Sequence, residues 1–239
     1  MTATVFIWDF DGTLLDTRLR NYNVVRTLLA DLGLAPDRMP ALRSHEVYDR
    51  VNRRYVNWRD LYRREFGFSE TETDRIGALW SEYQGRDHTP AEPFDGIAEA
   101  LTALAAIPHG IVSQNASTHI RHALTGAGLA AFFRAIVGYD SVHIQRQKPE
   151  PDGLLACLDD LAVGGSGRVV YIGDHETDVR LARNAARALA ARGPGWEVVS
   201  VAACFVDPED HVGWSLRADY AATTPRDLID VARDLGLDV

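Results

Sequence analysis

The chain has 239 residues, 46% of them hydrophobic and 25% charged, an ordinary globular composition long enough for one large domain or a core with a smaller second one. Its net charge of −9 repels polyanions, which argues against nucleic acid and anionic membrane surfaces as partners. The start "MTATVFIWDF" has no basic region, and no apolar stretch approaches the ~20 residues of a membrane span, so a cytoplasmic protein with no membrane attachment is expected.

In chain order, "TVFIWDF" at 4–10 is a continuous apolar run ending in acid. Continuous rather than alternating apolarity suits a strand of a parallel sheet covered on both faces. Gly12 breaks it, and from 17 to about 86 the period becomes helical. "NYNVVRTLLADLGL" predicts a helix stopping at Gly33 with Pro36 beyond. Val47, Val51, Tyr55, Trp58 and Leu61 form one more helical stripe, and a further helix is expected from Glu70 to about Gln84. "GRDHTPAEPFDG" at 85–96 reads as a boundary.

After it helices and strands alternate. Helices are expected near 95–106, 116–127, 150–162, 176–191 and 225–236. Strands are expected at "GIVSQN", "AIVGY", "RVVYIGD", "EVVSVAAC" and "ADYAA". This alternation means βαβ units and a parallel sheet. The helical block after the first strand then reads as an inserted second domain. Cys157 and Cys204, far apart in sequence, make neither a disulfide framework nor a metal site and read as small buried hydrophobes.

In open parallel sheets, ligands bind at the carboxyl ends of the strands. Those ends carry Asp9, Asp11, Gly12 and Thr13 after the first strand, then Ser113, Gln114 and Asn115. Asp174 ends "RVVYIGD", and Asp178 follows in the first turn of a helix. Crowded carboxylates repel unless a cation lies among them. An all-oxygen donor set suits Mg²⁺. A nearby lysine and serine suit an anion beside the metal, which together suggest a phosphate group.

That lysine is Lys148, the only lysine among 25 Lys and Arg residues. A compact ammonium on a flexible stem can enter a space that a planar guanidinium cannot.

The motifs "DFDGT", "VSQN", "KPEP" and "GDHETD", in this order, resemble those of the haloacid dehalogenase superfamily, and specifically its phosphatases. The likeness extends over about 5–235 and includes the phosphoglycolate-phosphatase-like "PFDGIAEALTAL". It implies a Rossmann-like α/β core at 1–16 and 89–239, and a small α-helical cap at 17–88.

It further implies that Asp9 is the nucleophile and Asp11 the general acid and then base. Gly12, Thr13, Ser113, Gln114 and Asn115 would shape the phosphate site. Asp9, the carbonyl of Asp11, Asp174 and Asp178 would hold Mg²⁺, and Lys148 would balance the transferring charge. The implied substrate is a small phosphorylated metabolite, and the implied assembly a monomer or homodimer. A phosphomutase and a catalytically silent binding protein are the alternatives.

His175, beside Asp174, reads as a helix N-terminal residue rather than a substrate contact. The segment 191–197 reads as a loop that lengthens the last crossover, and 207–214 as a loop able to overhang the site, with no role assigned to either. Between 43 and 64 seven arginines accompany Glu46, Asp49 and Asp60. They read mainly as a solvated face with helix ion pairs, with at least one expected near a bound leaving group. Tyr22, Tyr48, Tyr55, Trp58 and Tyr62 read as the core of the helical block.

Overall fold

A computed structural model describes residues 3–55, 57–193 and 195–239. The chain divides into two compact units, Met1–Asp16 with Glu92–Val239, and Thr17–Ala91.

The first unit is a six-stranded sheet of β1 (Ala3–Trp8), β2 (His109–Val112), β3 (Phe133–Val137), β4 (Gly167–Gly173), β5 (Trp196–Ala203) and β6 (Tyr220–Ala222). Their order is β3-β2-β1-β4-β5-β6, and every pairing is parallel. The central pair runs in register from Ala3 opposite Gly167 to Trp8 opposite Ile172. Val5 to Trp8 and Val169 to Ile172 are buried on both faces, which explains their unbroken apolar sequences.

One face packs against the helices Asp152–Leu161 and Glu176–Arg192 through Val5, Ile7, Val169, Leu154, Leu158 and Leu181. Each fully buried side chain of this kind stabilises by roughly 1.5–3 kcal/mol. On the other face His109 is held in one tautomer. Its Nδ1 accepts from the Trp8 indole at 3.0 Å, and its Nε2 donates to the Leu104 carbonyl at 3.1 Å. The chain runs from β1 outward to β3 and then returns to β4 on the other side of β1. The loops after β1 and β4 therefore diverge, leaving the crevice where doubly wound sheets bind ligands.

The second unit holds α1 (Arg18–Asp31), α2 (His45–Asn52), α3 (Trp58–Arg64) and α4 (Glu70–Arg86). The single stripe expected from Val47 to Leu61 is two helices. Local capping decides this: Ser44 accepts from the Val47 N–H and Asn57 from the Asp60 N–H, so each side chain starts its own helix. Ser69 and Glu72 form a capping box at the start of α4.

Val24, Leu28, Leu42, Tyr48, Leu61 and Tyr62 are the core of this unit, with Tyr22, Tyr55 and Trp58 packed against it. Its arginines find acids nearby: Arg53 pairs with Asp49 at 3.1 Å, Arg64 with Asp60 at 4.0 Å, and Arg59 with Asp74.

The remaining helices are α5 (Ile97–Ala103), α6 (Ser117–Gly126), α7 (Asp152–Leu161), α8 (Glu176–Arg192) and α9 (Asp227–Asp234). The expected long loop over 191–197 is mostly regular structure, because α8 runs to Arg192 and β5 starts at Trp196. Pro194 in it lies outside the described residues. The 207–214 segment contains a short helical turn, Asp210–Gly213. Just beyond it, Ser215 donates to Glu176 in the first turn of α8, at 2.9 Å from its N–H and 2.6 Å from its hydroxyl. Both cysteines are free and buried. No helix among the described residues is long and apolar enough to cross a membrane.

Candidate active site

The β1–β4 ladder continues one residue past β1, where the Asp9 N–H donates to the Ile172 carbonyl at 2.7 Å. That bond carries Asp9 to the sheet end while Phe10 stays in the core. Gly12 then turns the chain at φ +73°, a conformation that favours glycine. A Cβ there would lie 2.2 Å from Asp174 Oδ2, so the glycine also admits the Asp174 carboxylate. Gly173 acts similarly, since its Cβ would lie 2.2 Å from Asp178 Cγ. The two glycines let the acids after β4 close on those after β1.

Lys148, from the loop before α7, is buried and bridges this cluster. Its Nζ donates to Asp9 Oδ1 at 2.6 Å and Asp178 Oδ1 at 2.9 Å. It also lies 5.3 Å from the centre of the Tyr171 ring. Burial alone would lower the lysine pKa. The charges of Asp178 and Asp9 outweigh burial and hold it above its ordinary value. Asp9 is pushed well above the usual carboxylate range by burial first; Lys148 opposes that, while Asp178, Asp174 and Asp11 add to it.

Asp178 is thoroughly anchored. Its Oδ2 accepts from the His175 N–H at 3.1 Å, and its Oδ1 accepts from the Tyr171 hydroxyl at 3.3 Å as well as from Lys148. The His175 ring accepts the Thr177 N–H at 3.1 Å, capping α8.

Ser113 follows β2, and its Oγ accepts the Asn115 N–H at 3.1 Å, which leaves its hydroxyl proton to donate. Gln114 donates its side-chain N–H to the Lys148 carbonyl at 3.3 Å, and Asn115 donates to Asp11 Oδ2 at 3.2 Å. Thr13 is wholly buried, and its hydroxyl has no hydrogen-bond partner among the described residues.

Asp9, Asp11, Asp174, Asp178, Lys148, Gln114 and Asn115 are thus joined by direct contacts or near approaches, with Ser113 attached through Asn115. Two supporting residues escaped the sequence reading. One is Tyr171, whose single hydroxyl proton is shared between Asp178 Oδ1 and the Val112 carbonyl at 3.1 Å; the other is Asn184 of α8, which donates to the Pro149 carbonyl at 3.0 Å and holds the lysine loop. A tyrosine inside an apolar strand signals a buried hydroxyl that needs a partner. Asn184 carries no comparable signal.

Asp9, Asp174 and Asp178 each offer a carboxylate oxygen, all within 4.8 Å of one another. The donors are hard oxygens, and these acids with Asp11 outnumber the one ammonium among them. That donor set fits Mg²⁺ better than a soft thiolate-seeking metal.

A family model described as haloacid dehalogenase-like hydrolase matches residues 6–191, and the chain belongs to that family. It is 29% identical to the N-acetylmuramic acid 6-phosphate phosphatase of Pseudomonas aeruginosa over 238 residues, covering 97% of this chain and 95% of that one. It is 29% identical to a phosphoglycolate phosphatase of Agrobacterium fabrum over 227 residues, covering 92% and 90%. A haloacid dehalogenase-like hydrolase from Streptococcus pneumoniae shares the fold, with a TM-score of 0.70, 17% identity and coverage of 96% and 98%.

Proposed function

We propose that the protein is a Mg²⁺-dependent phosphatase that hydrolyses a small phosphate monoester through a phosphoaspartate on Asp9. The observation that carries this reading is the buried Lys148 ammonium, bonded to Asp9 and Asp178 at the end of the sheet.

In the first displacement a carboxylate oxygen of Asp9 attacks phosphorus and the bond to the leaving oxygen breaks. Asp11 gives that oxygen a proton. In the second, Asp11 takes a proton from the attacking water, the P–O bond to Asp9 breaks, and phosphate leaves. Lys148 stays fixed while charge moves past it, so its stabilisation needs no reorganisation. The Ser113 hydroxyl donates to a phosphoryl oxygen. Asp9, Asp174 and the Asp11 carbonyl would hold the metal, with Asp178 beside them orienting Lys148. The ion would supply positive charge that keeps Asp9 ionised and balances the phosphoryl oxygens.

The Thr17–Ala91 unit acts as the cap of this enzyme and selects the leaving group. Both relatives are named for phosphate esters that also carry a carboxylate. The arginine-rich segment 43–64 suits a second anionic group, which arginine binds in bidentate fashion.

The test is phosphate release from carboxylated and uncharged phosphomonoesters with Mg²⁺, beside EDTA and Asp9→Asn controls. Release that EDTA and Asp9→Asn both abolish, fastest with a carboxylated ester, is expected. Release that survives Asp9→Asn would end the phosphoaspartate reading. Equal rates on both ester classes would end the assignment of a second anionic group.

A further inference from the structure

Asn115 lies where a substrate contact is expected from its motif, yet its surroundings leave it little freedom to be one. It is 2% exposed. Its side-chain Oδ1 accepts the Ala116 N–H at 3.0 Å. That bond identifies the amide oxygen, so the other end is the NH₂ group, and this is the end that faces Asp11 Oδ2 at 3.2 Å. The backbone is held too. The Asn115 N–H donates to Ser113 Oγ at 3.1 Å, and its carbonyl accepts the Tyr139 N–H at 3.1 Å. The amide is thus a rigid donor aimed at one oxygen of Asp11. The other oxygen, Oδ1, is buried and has no hydrogen-bond partner among the described residues. A buried carboxylate oxygen without a donor is rare unless a ligand or reacting group supplies one.

We propose that Asn115 is a positioning residue for Asp11. It holds Oδ2 and so presents Oδ1 to the leaving oxygen and, in the second step, to the attacking water. This rests on the reading of Asp11 as the general acid and base. In the first displacement the proton passes from Asp11 Oδ1 to the leaving oxygen as its bond to phosphorus breaks. In the second it returns to Oδ1 from water as the new P–O bond forms. Asn115 neither gives nor takes a proton and touches no substrate atom.

Proton donation matters when the leaving oxygen is a strong base and matters little when it is a weak one. The experiment is therefore the first displacement with Mg²⁺, followed in single turnover as release of the leaving group. It uses an alkyl ester, glycerol phosphate, and an activated ester, p-nitrophenyl phosphate. Asn115→Ala removes both side-chain bonds. Asn115→Asp keeps the acceptor for Ala116 and replaces the donor to Asp11 with an oxygen of like charge, so it abolishes the contact even if the alanine variant folds poorly.

The alkyl ester should slow by about ten- to a hundredfold, within the range that general acids contribute. The nitrophenyl ester should slow by less than about threefold, and KM should hold within about twofold for both. Equal slowing of both esters would mean a merely structural role and would overturn the proposal. So would a raised KM at unchanged rate, the mark of a substrate contact, or no change at all. Asp11→Asn is run beside them. If it slows both esters alike, the general-acid reading itself fails. If it shows the leaving-group dependence and the Asn115 variants do not, only the proposal for Asn115 falls.

Discussion

At the carboxyl end of the sheet, charge is buried and directly bonded: Lys148 and Asp178 have side chains only 5% exposed and meet at 2.9 Å. In the Thr17–Ala91 unit, charge lies nearer water, with Arg53 and Asp49 at 15% and 17% exposure among the more sheltered of its pairs. Arg64 and Asp60, 73% and 33% exposed, approach only to 4.0 Å, and cohesion comes from an aliphatic and aromatic core. The first region gives up solvation to hold an ammonium and its carboxylates in fixed positions, since buried ion pairs are weak contributors to stability. The second stabilises itself by apolar burial and leaves its charges for solvent or ligand. Changes in the first should therefore appear in turnover as well as in stability, and changes in the second in stability.

The sharpest way to break this contrast is Lys148→Arg. It keeps the charge, but a guanidinium cannot occupy a space that gives an ammonium bonds of 2.6 and 2.9 Å. Turnover should fall roughly a thousandfold at temperatures where the variant is still folded, with a drop in thermal stability alongside, because Asp9 and Asp178 lose their buried counter-charge. Normal turnover would refute the account of the lone lysine.

Next comes Leu61→Ala in the helical unit, where the side chain is fully buried. Denaturant unfolding should show a loss of about 2–5 kcal/mol. A loss below about 1 kcal/mol would mean that this core is not what holds the unit together.

The sheet also offers a buried group that is neutral. Burial pushes the His109 ring down to about 4 from its ordinary 6.5. Folding thus favours the neutral form. His109 contributes its full stability above pH 6.5 and loses it as pH falls towards 4, because the unfolded chain then binds the proton more readily. The difference approaches roughly 3 kcal/mol. Urea unfolding of wild type against His109→Gln between pH 7 and pH 4 should show a shallower pH dependence in the variant. Parallel curves would mean that His109 does not titrate as its burial demands.

The smallest effect belongs to Arg64→Ala, expected within about 0.5 kcal/mol in the same measurement. A larger loss would place part of that unit's cohesion in its surface charges and narrow the contrast with the sheet.

Much of the site was legible because its chemistry needs particular residue types at strand ends: Asp9 and Asp11 around Phe10, Asp174 before a helix start, and one lysine in a chain of arginines. Strand positions followed from unbroken apolar runs. Helix boundaries were less legible. The stripe from Val47 to Leu61 has one period, and Asn57 restarts the helix inside it by a local hydrogen bond that periodicity does not register.

By itself the sequence determined the parallel sheet, the helical insert and the identities of the acids and the lysine, because periodicity and residue chemistry are local properties. The tertiary structure alone decided who touches whom. Asp11 and Asn115 are 104 positions apart in the chain, and Lys148 and Asp9 are 139 apart. Their meeting depends on parallel strands ending at one level. It also decided that the Asn115 amide faces a carboxylate, that the Tyr171 ring lies against the Lys148 ammonium, and that Asn184 holds the lysine loop. Hydrogen-bond direction depends on how separate segments pack, and no pattern along the chain encodes it.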